Sequence, residues 1–120
     1  MTARIGIIGA GLIGRAWAIV FARSGMSVCL YDVDASALGQ VQGGIRQSLE
    51  DLLQAGLIED IEAPLSRIQT ENDLAHAMRG VEYVQECGPE DIDAKRRIYL
   101  ELESVVAIDT VLASSTSGIA

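Results

Sequence analysis

Residues 5–14, IGIIGAGLIG, place glycines at positions 9, 11 and 14 directly behind a short apolar run. Ile5, Ile7 and Ile8 supply that run, which reads as a strand buried on both faces. With 12 glycines in 120 residues, the spacing alone decides little. The residues that follow decide it. Ile13, Trp17, Val20 and Phe21 recur at helical spacing and read as the inward face of a helix that Gly25 stops. SVCLYD (27–32) then reads as a second strand ending in an acid. Strand, glycine turn, helix and acid-terminated strand together form a dinucleotide fingerprint.

Each position in that fingerprint has a chemical task. Gly9 permits the tight turn, Gly11 lets the backbone approach a pyrophosphate, and Gly14 lets the helix pack on the strand. The N–H groups of Leu12 and Ile13 then face the phosphates, where backbone donors and the helix dipole favour an anion. Asp32, 18 residues past Gly14, would accept from a ribose 2′-hydroxyl and repel a 2′-phosphate, so NAD is expected over NADP. Flavin enzymes and hydroxyisobutyrate-type dehydrogenases share this half of the pattern, so it does not separate them.

Downstream, strand and helix continue to alternate, which implies a parallel α/β sheet. Asp34 caps a second helix whose stripe is Leu38, Val41, Ile45, Leu49 and Leu52, weakened in its middle by Gly39, Gly43 and Gly44. LSRIQT (65–70) reads as a third strand, and Asn72 opens a short helix closed by Gly80. VEYVQE (81–86) is a fourth strand and TVLAS (110–114) a fifth, with a helix over 92–106 between them carrying Ile98, Leu102 and Val105 inward. The expected fold is a Rossmann-type doubly wound parallel sheet of about five strands.

The composition sets bounds. One domain of 120 residues holds a single core. The net charge of −8 argues against nucleic-acid or anionic-membrane partners, which need clustered Lys and Arg. No apolar stretch approaches the roughly 18 residues of a membrane span. The N-terminal MTARIGIIG lacks the cationic lead and cleavage site of a secretory signal, so a cytoplasmic protein is expected. Cys29 and Cys87 then read as thiols rather than a disulfide, and no Cys/His cluster suggests a metal. His76, the single histidine, reads as surface or packing, and Trp17 as core.

The second half carries a resemblance. VQECGPEDIDAKRRIYLELESVV (84–106) followed by VLASSTSGI (111–119) resembles the 3-hydroxyacyl-CoA dehydrogenase superfamily, closest to its lambda-crystallin/L-gulonate 3-dehydrogenase branch. The resemblance implies NAD as cofactor and a hydroxy acid or acyl-CoA as substrate. It implies that Glu90 and Lys95 contact the cofactor and that Ser117 lies between nicotinamide and substrate, as a cofactor-binding and catalytic residue. Apart from the resemblance, Glu90 and Lys95 also fit a solvated pair at a helix start, and Ser117 a turn hydroxyl. The family's catalytic histidine, its carboxylate partner and its helical dimerisation domain correspond to positions beyond 120. The chain therefore reads as a truncated N-terminal dinucleotide-binding domain over residues 1–120, inactive alone, of an enzyme that dimerises when whole. A non-catalytic NAD-binding module, a redox sensor or a crystallin-type structural relative, is the alternative.

Overall fold

The strand Arg4–Ile8 (β1) is the centre of the molecule, with a parallel neighbour on each side. A computed structural model describes residues 3–87, 92–106 and 110–114. Across these the order is β1, α1 (Leu12–Arg23), β2 (Ser27–Tyr31), α2 (Ala35–Gln54), α3 (Glu62–Ser66) and β3 (Ile68–Glu71). Then come α4 (Leu74–Ala77), β4 (Tyr83–Glu86), α5 (Ile92–Val105) and β5 (Val111–Ser114). The five strands lie in the order β3-β2-β1-β4-β5, all parallel. The chain thus fills one half of the sheet outward from β1, crosses back, and fills the other half. The reversal falls between β1 and β4.

Strand alternation divides the core into two layers. Ile5, Ile7, Val28, Leu30 and Ile68 face α1, α2 and α3, joined by Val41, Ile45 and Leu49 of α2. Ile8, Cys29 and Val84 face the other side, against Ala77 of α4, Met78 directly after it and Leu102 of α5. Helices on both faces make the sheet doubly wound, as expected, and they explain why its strands read as continuous apolar runs.

The inward face of α1 differs from the expected one. Ile13 is 56% exposed and Val20 50%, Trp17 is half-buried, and the buried residues are Gly14, Ala18, Ile19 and Ala22. Small residues at intervals of four let the helix axis lie close to the sheet, and the large side chains are displaced to its flank. There Trp17 stacks on Phe21 with ring centroids 5.6 Å apart, and Phe21 meets Tyr83 at the same separation. Trp17 therefore edges the core instead of filling it.

Boundaries also shift, β4 beginning at Tyr83 and not at Val81. Leu65 and Ser66 belong to α3, so β3 begins only at Ile68. The helix expected from Asn72 starts one residue later, because the Asp73 carboxylate accepts from the N–H groups of Ala75 and His76. By contrast α2 runs unbroken for 20 residues through Gly39, Gly43 and Gly44, capped by Asp34 as expected.

Candidate functional site

The carboxyl ends of β1, β2 and β4 meet in register, Ile8 standing opposite Tyr31 on one side and Glu86 on the other. Ligands in open parallel sheets bind outside these ends, at the point where strand order reverses. A cleft of about 240 Å³ opens there, lined by Ile8, Gly9, Gly11, Tyr31, Asp32, Val33, Cys87 and Ile98.

The glycine turn forms its floor. Gly9 has φ +106°, a conformation costly for any residue with a Cβ, and its N–H donates to the Tyr31 carbonyl at 2.8 Å. A Cβ on Gly14 would overlap the Gly9 carbonyl oxygen, so the close approach expected of Gly14 is to the turn itself as much as to the strand. Gly11 is different. Its φ is −75° and a Cβ there would meet no atom of the described residues within 4 Å. Nothing in the described part of the fold requires glycine at this position.

Among the described residues, nothing accepts from the first turn of α1. Gly11 is the N-cap and provides no side chain, and the first intrahelical bond runs from the Arg15 N–H to the Gly11 carbonyl at 3.0 Å. The amides of Leu12, Ile13 and Gly14 precede that ladder, at the positive end of a 12-residue helix with no acid in its first turn. Leu12 is 82% exposed beside them.

Asp32 follows β2 directly and lines the cleft beside the turn. Its Oδ2 accepts from the Ala10 N–H at 2.9 Å and its Oδ1 from the Asp34 N–H at 2.9 Å. Both oxygens are thus fixed, and each retains accepting capacity for a hydroxyl. Tyr31 beside it has its phenol pKa raised, first by burial and then by Glu101, Asp32 and Asp73.

The structure brings Gly9, Gly11, Leu12, Ile13, Gly14 and Asp32 to one edge, as expected. Glu90 and Ser117 lie outside the described residues; Lys95 falls within α5, its side chain likewise outside them. His76 is exposed on α4, with its Nδ1 3.9 Å from Asp73, and does not line the cleft. Two features escaped sequence reasoning. Glu86 is fully buried at the end of β4, a burial that a VQE run does not announce. Arg15 sends its Nε to the Ala10 carbonyl at 3.1 Å, a contact across five residues that leaves no mark in periodicity.

Residues 4–120 match the family described as 3-hydroxyacyl-CoA dehydrogenase, NAD binding domain. The chain belongs to that family. Its cofactor is accordingly NAD, and the described residues fit it: a Cβ position at Gly11 that none of them fills, helix-start amides with no acceptor among them and a carboxylate directly after β2. Among curated relatives, the lambda-crystallin of Oryctolagus cuniculus is 40% identical over 114 residues, covering 92% of this chain and 36% of that protein. The L-carnitine dehydrogenase of Streptomyces griseus is 34% identical over 115 residues, covering 96% and 34%. The crystal structure of (S)-3-hydroxybutyryl-CoA dehydrogenase from Ralstonia eutropha superposes with a TM-score of 0.90 at 26% identity, covering 99% of this chain and 42% of that one. The chain therefore spans about a third of the length of these curated relatives. No helix among the described residues is long and apolar enough to cross a membrane.

Proposed function

We propose that this chain is the NAD-binding portion of a dehydrogenase acting on a 3-hydroxy acid or its thioester. The observation that carries the reading is the Gly11 turn at the β1–β4 reversal, open toward a cleft that Asp32 closes on the adenosine side. The amides of Leu12, Ile13 and Gly14 hold the pyrophosphate, and Asp32 holds the ribose 2′-hydroxyl and excludes a 2′-phosphate. NAD supplies the hydride acceptor when bound. The names of the relatives support hydroxy-acid chemistry, as does the sequence resemblance, which gives Glu90 and Lys95 contacts to the cofactor and gives Ser117 a hydrogen bond to the reacting oxygen or the carboxamide.

Hydride transfer from a hydroxyl carbon needs a base for the hydroxyl proton. His76 is away from the cleft, and the sequence resemblance assigns the base to a histidine that corresponds to a position beyond 120; we propose that the whole protein is a homodimer of the cytoplasm. A free hydroxy acid is favoured over a coenzyme A thioester. Residues 35–80 carry three arginines and no lysine against seven acids, and Arg46 is already paired with Glu62 at 3.0 Å.

The test uses the whole protein with NAD and, in parallel, free 3-hydroxy acids and their coenzyme A thioesters, following NADH absorbance. Turnover of the free acids with the higher kcat/KM supports the reading. Preference for the thioesters overturns the substrate assignment, and tight NAD binding without turnover of either class favours the non-catalytic alternative.

A further inference from the structure

Arg15 and Gly44 lie on different helices, 29 positions apart, and the geometry ties both to the cofactor turn. Ala10, the residue between Gly9 and Gly11, is buried and held from both ends. Its N–H donates to Asp32 Oδ2 at 2.9 Å, and its carbonyl accepts from Arg15 Nε at 3.1 Å. The same guanidinium lies on the bare backbone of α2. A Cβ on Gly44 would stand 2.5 Å from Arg15 Nη1 and 3.2 Å from its Cζ, a distance no side chain tolerates without one partner moving. Glycine in mid-helix is unfavourable relative to alanine. At Gly44 the missing methyl has a use, because it seats the arginine.

We propose that Arg15 is a positioning residue for NAD binding: seated on α2 at Gly44, it holds the Ala10 carbonyl and thereby sets the peptide planes of the pyrophosphate turn. The proposal rests on the NAD site described above and adds residues that do not touch the cofactor. Removing the guanidinium leaves a buried carbonyl without its donor, and the turn relaxes toward whatever geometry satisfies it. The amides that face the pyrophosphate follow Ala10 directly, so their directions change with it. Adding a methyl at Gly44 does the same from the other side, by displacing the arginine while keeping its charge.

That difference separates positioning from plain charge. Calorimetric NAD titration and thermal unfolding are measured on the protein and on Arg15→Met, Gly44→Ala and the double variant. Arg15→Met keeps the apolar stem against α2. Each single variant is expected to bind NAD about tenfold more weakly, the scale of one hydrogen bond to a charged group. The double variant is expected to be no weaker than Arg15→Met alone, because the guanidinium that a Cβ at position 44 would displace is already gone, and to melt higher than Arg15→Met, because alanine favours the helix. Unchanged affinity in Gly44→Ala with a loss in Arg15→Met would reduce Arg15 to a distant charge and overturn the proposal. Losses that add in the double variant would overturn it too, with the NAD site itself left standing. Failure of the unsubstituted protein to bind NAD would remove the site and the proposal together. Should Arg15→Met not fold, Gly44→Ala alone still decides, since it retains every functional group.

Discussion

Asp32 Oδ2 accepts the Ala10 N–H at 2.9 Å, so the residue that would read the ribose also braces the turn that would hold the phosphates. Its other oxygen takes the Asp34 N–H, the residue that caps α2. Replacing Asp32 by alanine therefore does two things. It removes the charge that disfavours NADP, and it strips two backbone donors of their acceptor, at a stability cost of about 1–3 kcal/mol. NAD affinity is expected to fall by roughly ten- to hundred-fold, the worth of a hydrogen bond to a charged group, while NADP affinity falls less. Calorimetry with both cofactors checks this. An equal fall for the two would mean that Asp32 acts only through the turn.

Gly11 and Gly14 separate ligand from fold. A methyl at Gly14 overlaps the Gly9 carbonyl, whereas one at Gly11 meets none of the described residues and its φ of −75° suits any residue. Gly14→Ala should lower the melting temperature and abolish NAD binding together. Gly11→Ala should lower the melting temperature by only a few degrees, the scale of the roughly 1 kcal/mol that alanine loses to glycine at an N-cap, and should still weaken NAD binding. A Gly11→Ala protein with full NAD affinity would remove the argument that a ligand lies against this backbone.

The strand-turn-helix-strand frame was readable because its signals are local: apolar runs for strands, glycines where φ or contact demands them, an acid at a strand end. The stripe of α2 was readable for the same reason, and Val41, Ile45 and Leu49 are all buried. The face of α1 was misread because large apolar side chains weigh most in a periodicity, while a helix laid close on a sheet selects Gly14, Ala18 and Ala22 for their smallness. Nor could the sequence show the Arg15 seat. It depends on α1 and α2 packing side by side, and only that packing gives Gly44 a neighbour.

The other glycines of α2 behave oppositely to Gly44. A Cβ at Gly39 or Gly43 would meet no neighbouring atom of the described residues within 4 Å, and both are exposed in mid-helix. Gly39→Ala and Gly43→Ala should each stabilise the protein by about 1 kcal/mol, the helix-propensity difference between the two residues. Denaturant titration reads this as a higher midpoint at unchanged slope. A loss of stability at either position would mean that the exposed face of α2 packs against something.

Alkaline pH should weaken the fold from within. Cys29 is buried between the sheet and α4, and burial raises its thiol pKa, with Glu71 adding to the rise and Arg4 opposing it. Tyr31 is raised as well, by burial and then by nearby carboxylates. For both groups the folded state holds its proton to higher pH than the unfolded chain does. Their contribution is therefore complete below the unfolded values, 9.0 for the thiol and 10.0 for the phenol, and is lost as pH climbs through the folded ones. The denaturation midpoint should fall once pH passes about 9, the thiol acting before the phenol. Cys29→Ala should flatten the first part of that fall and leave the later part in place. Cys87, half-buried at the cleft, should react with iodoacetamide faster than Cys29, and NAD should slow that reaction by covering it. A midpoint independent of pH from 9 to 11 would contradict the burial of Cys29, and Cys87 alkylation indifferent to saturating NAD would put the cofactor outside this cleft.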